Sequence, residues 1–235
     1  MTNLRFWAVV PAAGIGERML ADRPKQYLQI DDKTVIEQTL QRLASHPKID
    51  GIILAISAND VWWPTLSLSL DCPLHVINGG QERAHSVLNA LTALTSQVYD
   101  DPWVLVHDAA RPCLRLDDVD RMLDQLSEHD VGGILGLPVN DTVKRTGLND
   151  EITETIDRRH LWRAMTPQMF HLRQLKSALE VALEQGVAVT DEAIAIEFVG
   201  LKPVMVEGHS DNIKITEPQD LVLASWYLNQ QRGKV

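Results

Sequence analysis

Short apolar runs alternate with amphipathic stretches along most of this chain, and this alternation constrains the fold more than any other feature. Five runs have the length and apolar content of buried strands, namely residues 6–10, 51–57, 74–77, 103–107 and 131–137. Strands that are apolar throughout are typical of parallel sheets covered by helices on both faces. We therefore predict an α/β fold, a Rossmann-like three-layer α/β/α sandwich with a mostly parallel sheet.

Segments with helical periodicity lie between these runs. In residues 83–95 the apolar side chains recur at spacings of three and four, and residues 35–43 and 172–183 show the same pattern. A last helix is predicted to begin at Thr216 as N-cap, with Pro218 in the first turn and Gln219 completing a capping box. Because no linker or repeat interrupts the pattern, residues 1–235 are expected to form one domain.

The charge and the composition exclude several classes of function. The chain has 22 Lys and Arg against 32 Asp and Glu, a formal net charge of −10. Because binding of a nucleic-acid backbone requires a concentrated basic surface, no nucleic-acid partner is expected. No apolar run approaches the roughly 18 residues of a membrane span, and no signal peptide is recognised, so we expect no membrane partner and a cytoplasmic location. Cys72 and Cys113 show neither disulfide nor zinc spacing.

One segment departs from the alternating pattern. In residues 139–157, two polar, β-branched runs flank a Gly-Leu-Asn-Asp turn signal at 147–150, which predicts a β-hairpin. Its apolar content is low for packing on the domain's own core, and an isolated hairpin is marginally stable in water. Two interpretations stay open. The segment is either a solvated surface hairpin or an arm that packs on a second subunit.

Small residues dominate the loop that follows the first predicted strand. The run Pro11-Ala12-Ala13-Gly14-Ile15-Gly16 would let backbone N–H groups approach an anion closely. Its spacing fits neither the dinucleotide fingerprint nor the Walker phosphate loop. Because Arg18, Arg23 and Lys25 follow in an otherwise acidic protein, we interpret the loop as a phosphate-binding site. The alternative is a tight strand-to-helix turn with incidental surface charge.

The same loop carries a family resemblance. Its sequence PAAGIGERM, followed by PKQY, resembles the 2-C-methyl-D-erythritol 4-phosphate cytidylyltransferase family of the non-mevalonate isoprenoid pathway. Further motifs follow in the family's order: GGQERAHSV (79–87), VHDAARP (106–112), DTVKR (141–145), IDR (156–158), TPQ (166–168), TDEA (190–193) and DNIKIT (211–216). The resemblance implies transfer of CMP from CTP to the acceptor phosphate by direct in-line attack on the α-phosphorus. It also implies Mg²⁺ or another divalent cation as cofactor.

The resemblance further assigns the residues of the site. It implies four catalytic cations, Arg18, Lys25, Arg158 and Lys214. The implied CTP contacts are Ala12, Ala13, Gly14, Gly16, Gly80, Gln81, Ser86 and Ala109. The implied acceptor contacts are Asp108, Arg111, Thr142, Thr166 and Thr190. No metal ligand is assigned, and Arg83 receives no role because it could simply pair with a nearby acid.

The resemblance also implies a homodimer with shared active sites. In the family, the arm at 139–157 brings Thr142 and Arg158 to the neighbouring subunit's site. For Thr190 an ordinary role as N-cap of a following helix stays open.

Two other functions stay open beside this one. A cytidylyltransferase for a pentitol phosphate, such as ribitol 5-phosphate, would share the fold and the CTP loops. A non-enzymatic, nucleotide-binding regulator could be built on the same scaffold. The acceptor-site residues favour methylerythritol phosphate over a pentitol, and the intact set of cations argues against the regulator.

Overall fold

The computed structural model of the chain describes residues 4–14 and 23–233. The strands are β1 (Phe6–Pro11), β2 (Gln29–Ile30), β3 (Lys33–Thr34), β4 (Ile49–Ile56), β5 (Leu74–Asn78), β6 (Trp103–Val106), β7 (Gly132–Pro138), β8 (Val143–Thr146), β9 (Ile152–Ile156), β10 (Trp162–His171) and β11 (Val204–Glu207). The helices are α1 (Val35–Ala44), α2 (Arg83–Thr95), α3 (Leu116–Leu126), α4 (Leu172–Glu184), α5 (Glu192–Phe198) and α6 (Pro218–Gln231). Gly16 and Arg18, which the sequence assigns to the site, lie outside the described residues.

Seven of the strands form one sheet in the order β11-β7-β10-β6-β1-β4-β5. Only β10 runs antiparallel to its neighbours β6 and β7, and the other pairs are parallel. The predicted α/β class with a mostly parallel sheet is therefore confirmed. The pairing of β10 with β7 shifts register between Ala164 and Gln168, around Pro167. A proline cannot donate to the ladder, and such irregularities are common beside active sites.

The alternation of side chains along β1 divides the core into two layers. Ala8 and Val10 pack on one face of the sheet with the apolar stripes of α1 and α3. Trp7 and Val9 pack on the other face with α2, α4 and α5. This is the three-layer arrangement expected when both faces of a parallel sheet are covered. Among the described helices, none has both the length and the hydropathy needed to cross a bilayer.

The start of α6 differs from the prediction by one residue. The N-cap is Glu217, and the capping box is completed by Asp220 instead of Gln219. The reason is Pro218, which restricts the preceding residue to an extended backbone and so makes Glu217 the last non-helical residue. Thr216 contributes differently, because its N–H and its hydroxyl both donate to the Asp220 carboxylate, at 2.8 and 3.0 Å.

The predicted hairpin is present as β8 and β9, which pair antiparallel in a separate two-stranded sheet. It leaves the main sheet after β7, at the carboxyl edge of the parallel strands, and returns as β10. Its side chains are mostly exposed, and the apolar Leu148 at the turn is fully so, with a relative exposure of 105%. The hairpin therefore has little apolar packing within the chain.

Candidate active site

A cleft of about 260 Å³ opens at the carboxyl edge of the sheet, beside the ends of β1 and β6 and the beginning of α2. Open α/β sheets bind their ligands at this edge. Many of the residues assigned from the sequence line it, namely Lys25, Lys214, Ala12, Ala13, Gly14, Gly80, Gln81, Ser86, Asp108 and Ala109. The structure thus brings together segments that are up to about 200 residues apart in sequence.

The loop after β1 is held in shape by a residue that the sequence reasoning missed. Gln26 is 4% exposed, and its side-chain amide donates to the carbonyl oxygens of Ala12 at 2.7 Å and Gly14 at 3.2 Å. These bonds fix the small-residue loop to the segment that carries Lys25. The available signal was the position of Gln26 within the PKQY motif, directly after Lys25.

A second loop closes on the first at Gly79. A Cβ atom there would lie 2.6 Å from the Cβ of Ala13 and 2.8 Å from Oγ of Ser86, so only glycine allows this approach. The Ser86 hydroxyl accepts from the N–H of Gly80 at 3.0 Å and donates to the carbonyl of Glu82 at 3.1 Å. A hydroxyl has one donor and two acceptor positions, so Ser86 keeps one acceptor position for a ligand.

Lys25 and Lys214 are fixed by the same short segment of backbone. Ile215 is fully buried, and its N–H donates to the carbonyl of Ala110 at 2.8 Å. Its carbonyl accepts from Nζ of Lys25 at 3.0 Å. Residues 211–216 form no strand, but the burial of Ile215 leaves its neighbour Lys214 in the cleft lining. Two lysines from opposite ends of the chain therefore meet in one wall.

Asp108 is the centre of a buried charge cluster. Its carboxylate lies 2.9 Å from Nε of Arg83, 2.9 Å from Nζ of Lys214 and 3.5 Å from Nε of Arg111. Burial opposes ionisation, but the charges of Arg83 and Lys214 outweigh it and hold the pKa of Asp108 well below its usual range. Asp108 is therefore a carboxylate throughout the physiological range.

Arg83 extends this cluster to a residue that was not predicted. Its Nη1 and Nη2 donate to the two oxygens of Glu192, at 2.6 and 3.1 Å. Although burial works in the opposite direction, the charges of Glu192 and Asp108 raise the pKa of Arg83. The possibility that Arg83 pairs with a nearby acid is confirmed, with two acids instead of one. Glu192 stands in the TDEA motif, but its local sequence gives no sign that it is buried.

Below Asp108 lies a buried chain of hydrogen bonds. Nε2 of His107 is 3.0 Å from the carbonyl oxygen of Arg111, which can only accept, so Nε2 carries the proton. Nδ1 then accepts from the Thr166 hydroxyl at 3.1 Å, and that hydroxyl accepts from the N–H of Asp108 at 3.1 Å. His107 and Thr166 therefore support Asp108 from within the protein, and neither is in the cleft lining.

The burial of His107 predicts how the stability of the fold depends on pH. Burial lowers the pKa of His107 to about 4, whereas the unfolded chain takes up that proton near pH 6.5. Between these values the unfolded state binds more protons, so the stability contribution is complete above pH 6.5 and is lost as the pH falls to 4. The shift corresponds to about 3 kcal/mol. Urea denaturation in steps from pH 7 to 4 should show this loss in the wild type but not in His107→Asn. Equal pH dependence in both proteins would contradict it.

The remaining assigned residues that the structure describes lie outside the cleft lining. Arg111 donates to the carbonyl of Asn212 at 2.8 Å and so braces the segment that carries Lys214. Thr142 and Arg158 are exposed at the base of the hairpin, where Arg158 contacts the carbonyl of Asn140. Thr190 is exposed, and the prediction that it could be the N-cap of the following helix is wrong.

The N-cap of α5 lies one residue later than the alternative for Thr190 supposed. Asp191 is this N-cap, and its carboxylate accepts from the N–H of Ile194 at 3.1 Å. An aspartate in this position satisfies one of the free N–H groups at the start of the helix. The hydroxyl of Thr190 is therefore not needed by α5.

Within the cleft, the described acidic residues do not form a set of open metal ligands. Both oxygens of Asp108 are occupied by cationic side chains, and the other acidic residue of the lining, Glu82, is exposed. Ligand atoms of Asp117, Asp118 and His209 lie within 4.8 Å of one another, but Arg121 donates to Asp118 at 3.2 Å. The positive charge of that guanidinium opposes a divalent cation on the same oxygen.

Comparison with known proteins shows which family the chain matches. The chain matches the family model for 2-C-methyl-D-erythritol 4-phosphate cytidylyltransferase over residues 6–230. The protein of that name from Vibrio parahaemolyticus is 52% identical over 226 residues, which cover 96% of each chain. The protein of that name from Hahella chejuensis is 51% identical over 230 residues, covering 98% of this chain and 95% of the relative. The crystal structure of the Francisella tularensis enzyme is 37% identical with a TM-score of 0.82, covering 95% of this chain and 99% of that one.

The sheet, the glycine-containing loop after β1 and the cationic cleft at the carboxyl edge define an α/β nucleotidyltransferase, and the relatives place the chain among the enzymes of that class. Within the class, the chain belongs to the 2-C-methyl-D-erythritol 4-phosphate cytidylyltransferase family. The family resemblance inferred from the motifs is therefore confirmed.

Proposed function

We propose that this protein transfers CMP from CTP to 2-C-methyl-D-erythritol 4-phosphate, giving 4-diphosphocytidyl-2-C-methyl-D-erythritol and pyrophosphate. The observation that carries the proposal is the convergence of Lys25 and Lys214 beside the buried carboxylate of Asp108, in the wall of one cleft. Both substrates are polyanions, and two fixed ammonium groups can contact both of them. The chain's membership of the family supports the same acceptor.

The chemistry needs orientation and positive charge more than acid–base catalysis. A phosphate monoester is largely a dianion at neutral pH, its second pKa being about 6, so its oxygen is already a nucleophile. That oxygen attacks the α-phosphorus of CTP, the bond from this phosphorus to the β-phosphate oxygen breaks, and pyrophosphate leaves. Stabilisation of the charge on the transferring group falls to Lys25 and Lys214. His107 has no proton to move in this scheme, which agrees with its burial and its lowered pKa.

The two loops on the other side of the cleft are proposed to bind the nucleotide. Ala12, Ala13 and Gly14 would contact phosphate and ribose through the backbone, while Gly80, Gln81 and Ala109 complete the wall. Ser86 retains one acceptor position, which suits the exocyclic amino group of cytosine. Uracil has a carbonyl oxygen at that position and could not donate there, so this arrangement favours CTP over UTP.

The cofactor is proposed to enter with the nucleotide. Mg²⁺ is held by few protein carboxylates and is commonly bound through substrate phosphates and water. This fits the described cleft lining, in which the buried acid Asp108 is already paired with cationic side chains. When bound, Mg²⁺ would neutralise part of the triphosphate charge. Arg18 and Gly16 keep their proposed roles as transition-state cation and backbone contact. The cytoplasmic location stays a prediction.

One assay tests the function. Pyrophosphate release is measured with CTP and Mg²⁺ in the presence of methylerythritol phosphate, of ribitol 5-phosphate, or of no acceptor, and again with UTP or with excess chelator. We expect release only with CTP, methylerythritol phosphate and the metal together. A higher rate with ribitol 5-phosphate would assign the pentitol phosphate as acceptor. Nucleotide binding without release under any condition would support the regulator instead.

We further propose that the whole chain is one nucleotidyltransferase domain that works as a homodimer, with residues 139–157 as the arm. Lys214 lines the cleft, whereas its expected partners at the acceptor phosphate, Thr142 and Arg158, are exposed at the base of the hairpin of the same chain. Exchange of hairpins across a two-fold axis would bring each Arg158 to the partner's cleft and would give the hairpin a surface to pack on.

Complementation between two inactive variants tests the shared site. Lys214→Ala and Arg158→Ala should each use the acceptor poorly. After mixing under conditions that exchange subunits, half of the dimers are mixed, and one of their two sites then has both residues intact. The mixture should therefore regain about a quarter of the wild-type activity. No recovery, although light scattering shows exchanged dimers, would mean that both residues act within one chain. A fully active monomer would contradict the dimer itself.

A further inference from the structure

Glu192 is a fully buried carboxylate that the scheme above does not use. It has a relative exposure of 0%, stands in the first turn of α5, and accepts from Nη1 and Nη2 of Arg83 at 2.6 and 3.1 Å. Stability alone does not explain such a pair, because replacing a buried ion pair by apolar side chains is often neutral or stabilising. The position of the pair relative to the cleft gives a better explanation.

Arg83 connects Glu192 to the centre of the site. Its third nitrogen, Nε, donates to Oδ1 of Asp108 at 2.9 Å, and Oδ2 of Asp108 lies 2.9 Å from Nζ of Lys214. Glu192, Arg83, Asp108 and Lys214 thus form one unbroken line of charge-assisted bonds. Because the guanidinium is planar with its donors in a fixed fork, holding two of them on Glu192 also fixes the direction of the third.

We propose that Glu192 is a positioning residue for the transfer reaction. By clamping Arg83, it holds the Asp108 carboxylate facing Lys214 and so orients the ammonium that receives the acceptor phosphate. Without the clamp, Arg83 could rotate and place two donors on Asp108, drawing the carboxylate away from Lys214. The clamp also ties α2, which follows the nucleotide loop, to α5, which follows the acceptor residue Thr190. The inference rests on the proposed function.

Glu192→Gln keeps the size of the side chain and removes its charge. Misplacement of the reacting groups should lower kcat/KM for the acceptor about 10- to 100-fold. The KM for CTP should stay within about threefold, because the nucleotide loops are held by Gln26, Gly79 and Ser86. Glu197→Gln is the matched control, since it removes the same charge from an exposed position of the same helix and should leave both parameters unchanged.

A double-mutant cycle separates positioning from a merely structural role. If Glu192 acts through Arg83, then Arg83→Gln/Glu192→Gln should lose no more acceptor efficiency than Arg83→Gln alone. Losses that multiply, or equal losses for CTP and acceptor, would overturn the proposal. So would acceptor kinetics in Glu192→Gln within about twofold of the wild type.

If Glu192→Gln does not fold, the double variant Arg83→Gln/Glu192→Gln still tests the positioning role of Glu192. It leaves no unpaired buried charge, so it should fold where the single variant does not. Wild-type acceptor kinetics in the double variant would overturn the proposal, and a loss equal to that of Arg83→Gln would support it. Failure of the proposed function is distinguishable, because the wild type itself would then release no pyrophosphate with methylerythritol phosphate, or would release it faster with ribitol 5-phosphate.

Discussion

Lys25→Ala should lower kcat about 100- to 1,000-fold, because it removes a fixed cation from the place where charge develops on the transferring phosphoryl group. The variant should remain folded, since Nζ of Lys25 contacts the carbonyl of Ile215 in the cleft wall and not in the core. Steady-state pyrophosphate release measures the effect, and circular dichroism checks the fold.

Lys48→Ala is the matched control for this prediction. Lys48 lies directly before β4, at the opposite edge of the sheet from the cleft, with 51% of its side chain exposed. Removing it takes away the same charge without touching the site, so turnover should not change. If Lys25→Ala also kept the wild-type turnover, Lys25 would have no catalytic role.

Asp108→Asn should both destabilise the protein and disable acceptor use. Asp108 is surrounded by Arg83, Arg111 and Lys214, and its neutralisation removes the negative charge that these three cations share, while Arg83 keeps its pair with Glu192. Breaking a buried pair by removing one partner costs about 3–5 kcal/mol. Urea denaturation at pH 7 should show a loss of that order, and the KM for the acceptor should rise.

Asp124→Asn is the control for the stability measurement. Its carboxylate is 75% exposed and pairs with Lys48 at 3.9 Å, a geometry that contributes little to stability. An Asp108→Asn protein as stable as this control would show that the cluster around Asp108 does not hold the fold together at the cleft.

The sequence predicts those parts of the fold whose burial is continuous. Residues 6–10 and 51–57 are apolar throughout and correspond to β1 and β4, and the helix predicted at 83–95 is α2. β10 was not predicted, because its first residues are exposed and Pro167 interrupts the pattern of a central strand. β11 is only four residues long and mostly unburied, so its periodicity is too weak to recognise.

The residues of the site also differ in whether they could be predicted from the sequence. Residues next to a glycine-containing or basic motif, such as Gly80 and Lys25, could be assigned by resemblance, and they line the cleft. Glu192 could not, because its role depends on Arg83, which is 109 residues away in sequence. No local pattern distinguishes an exposed acid in the first turn of a helix from a buried one. In the proposed homodimer, the contacts of Thr142 and Arg158 would be made with a second subunit, which no pattern in one chain describes.

The two lysines of the cleft wall differ from ordinary surface lysines in how much freedom they retain. A lysine side chain carries about 2 kcal/mol of rotamer entropy, which is normally lost when a ligand immobilises it. Here Lys25 is bonded to the Ile215 carbonyl and Lys214 to Asp108 within the chain itself. Much of that entropy is therefore lost on folding and not on binding. The cleft should accordingly bind its anions with a smaller entropic penalty than two mobile lysines would impose.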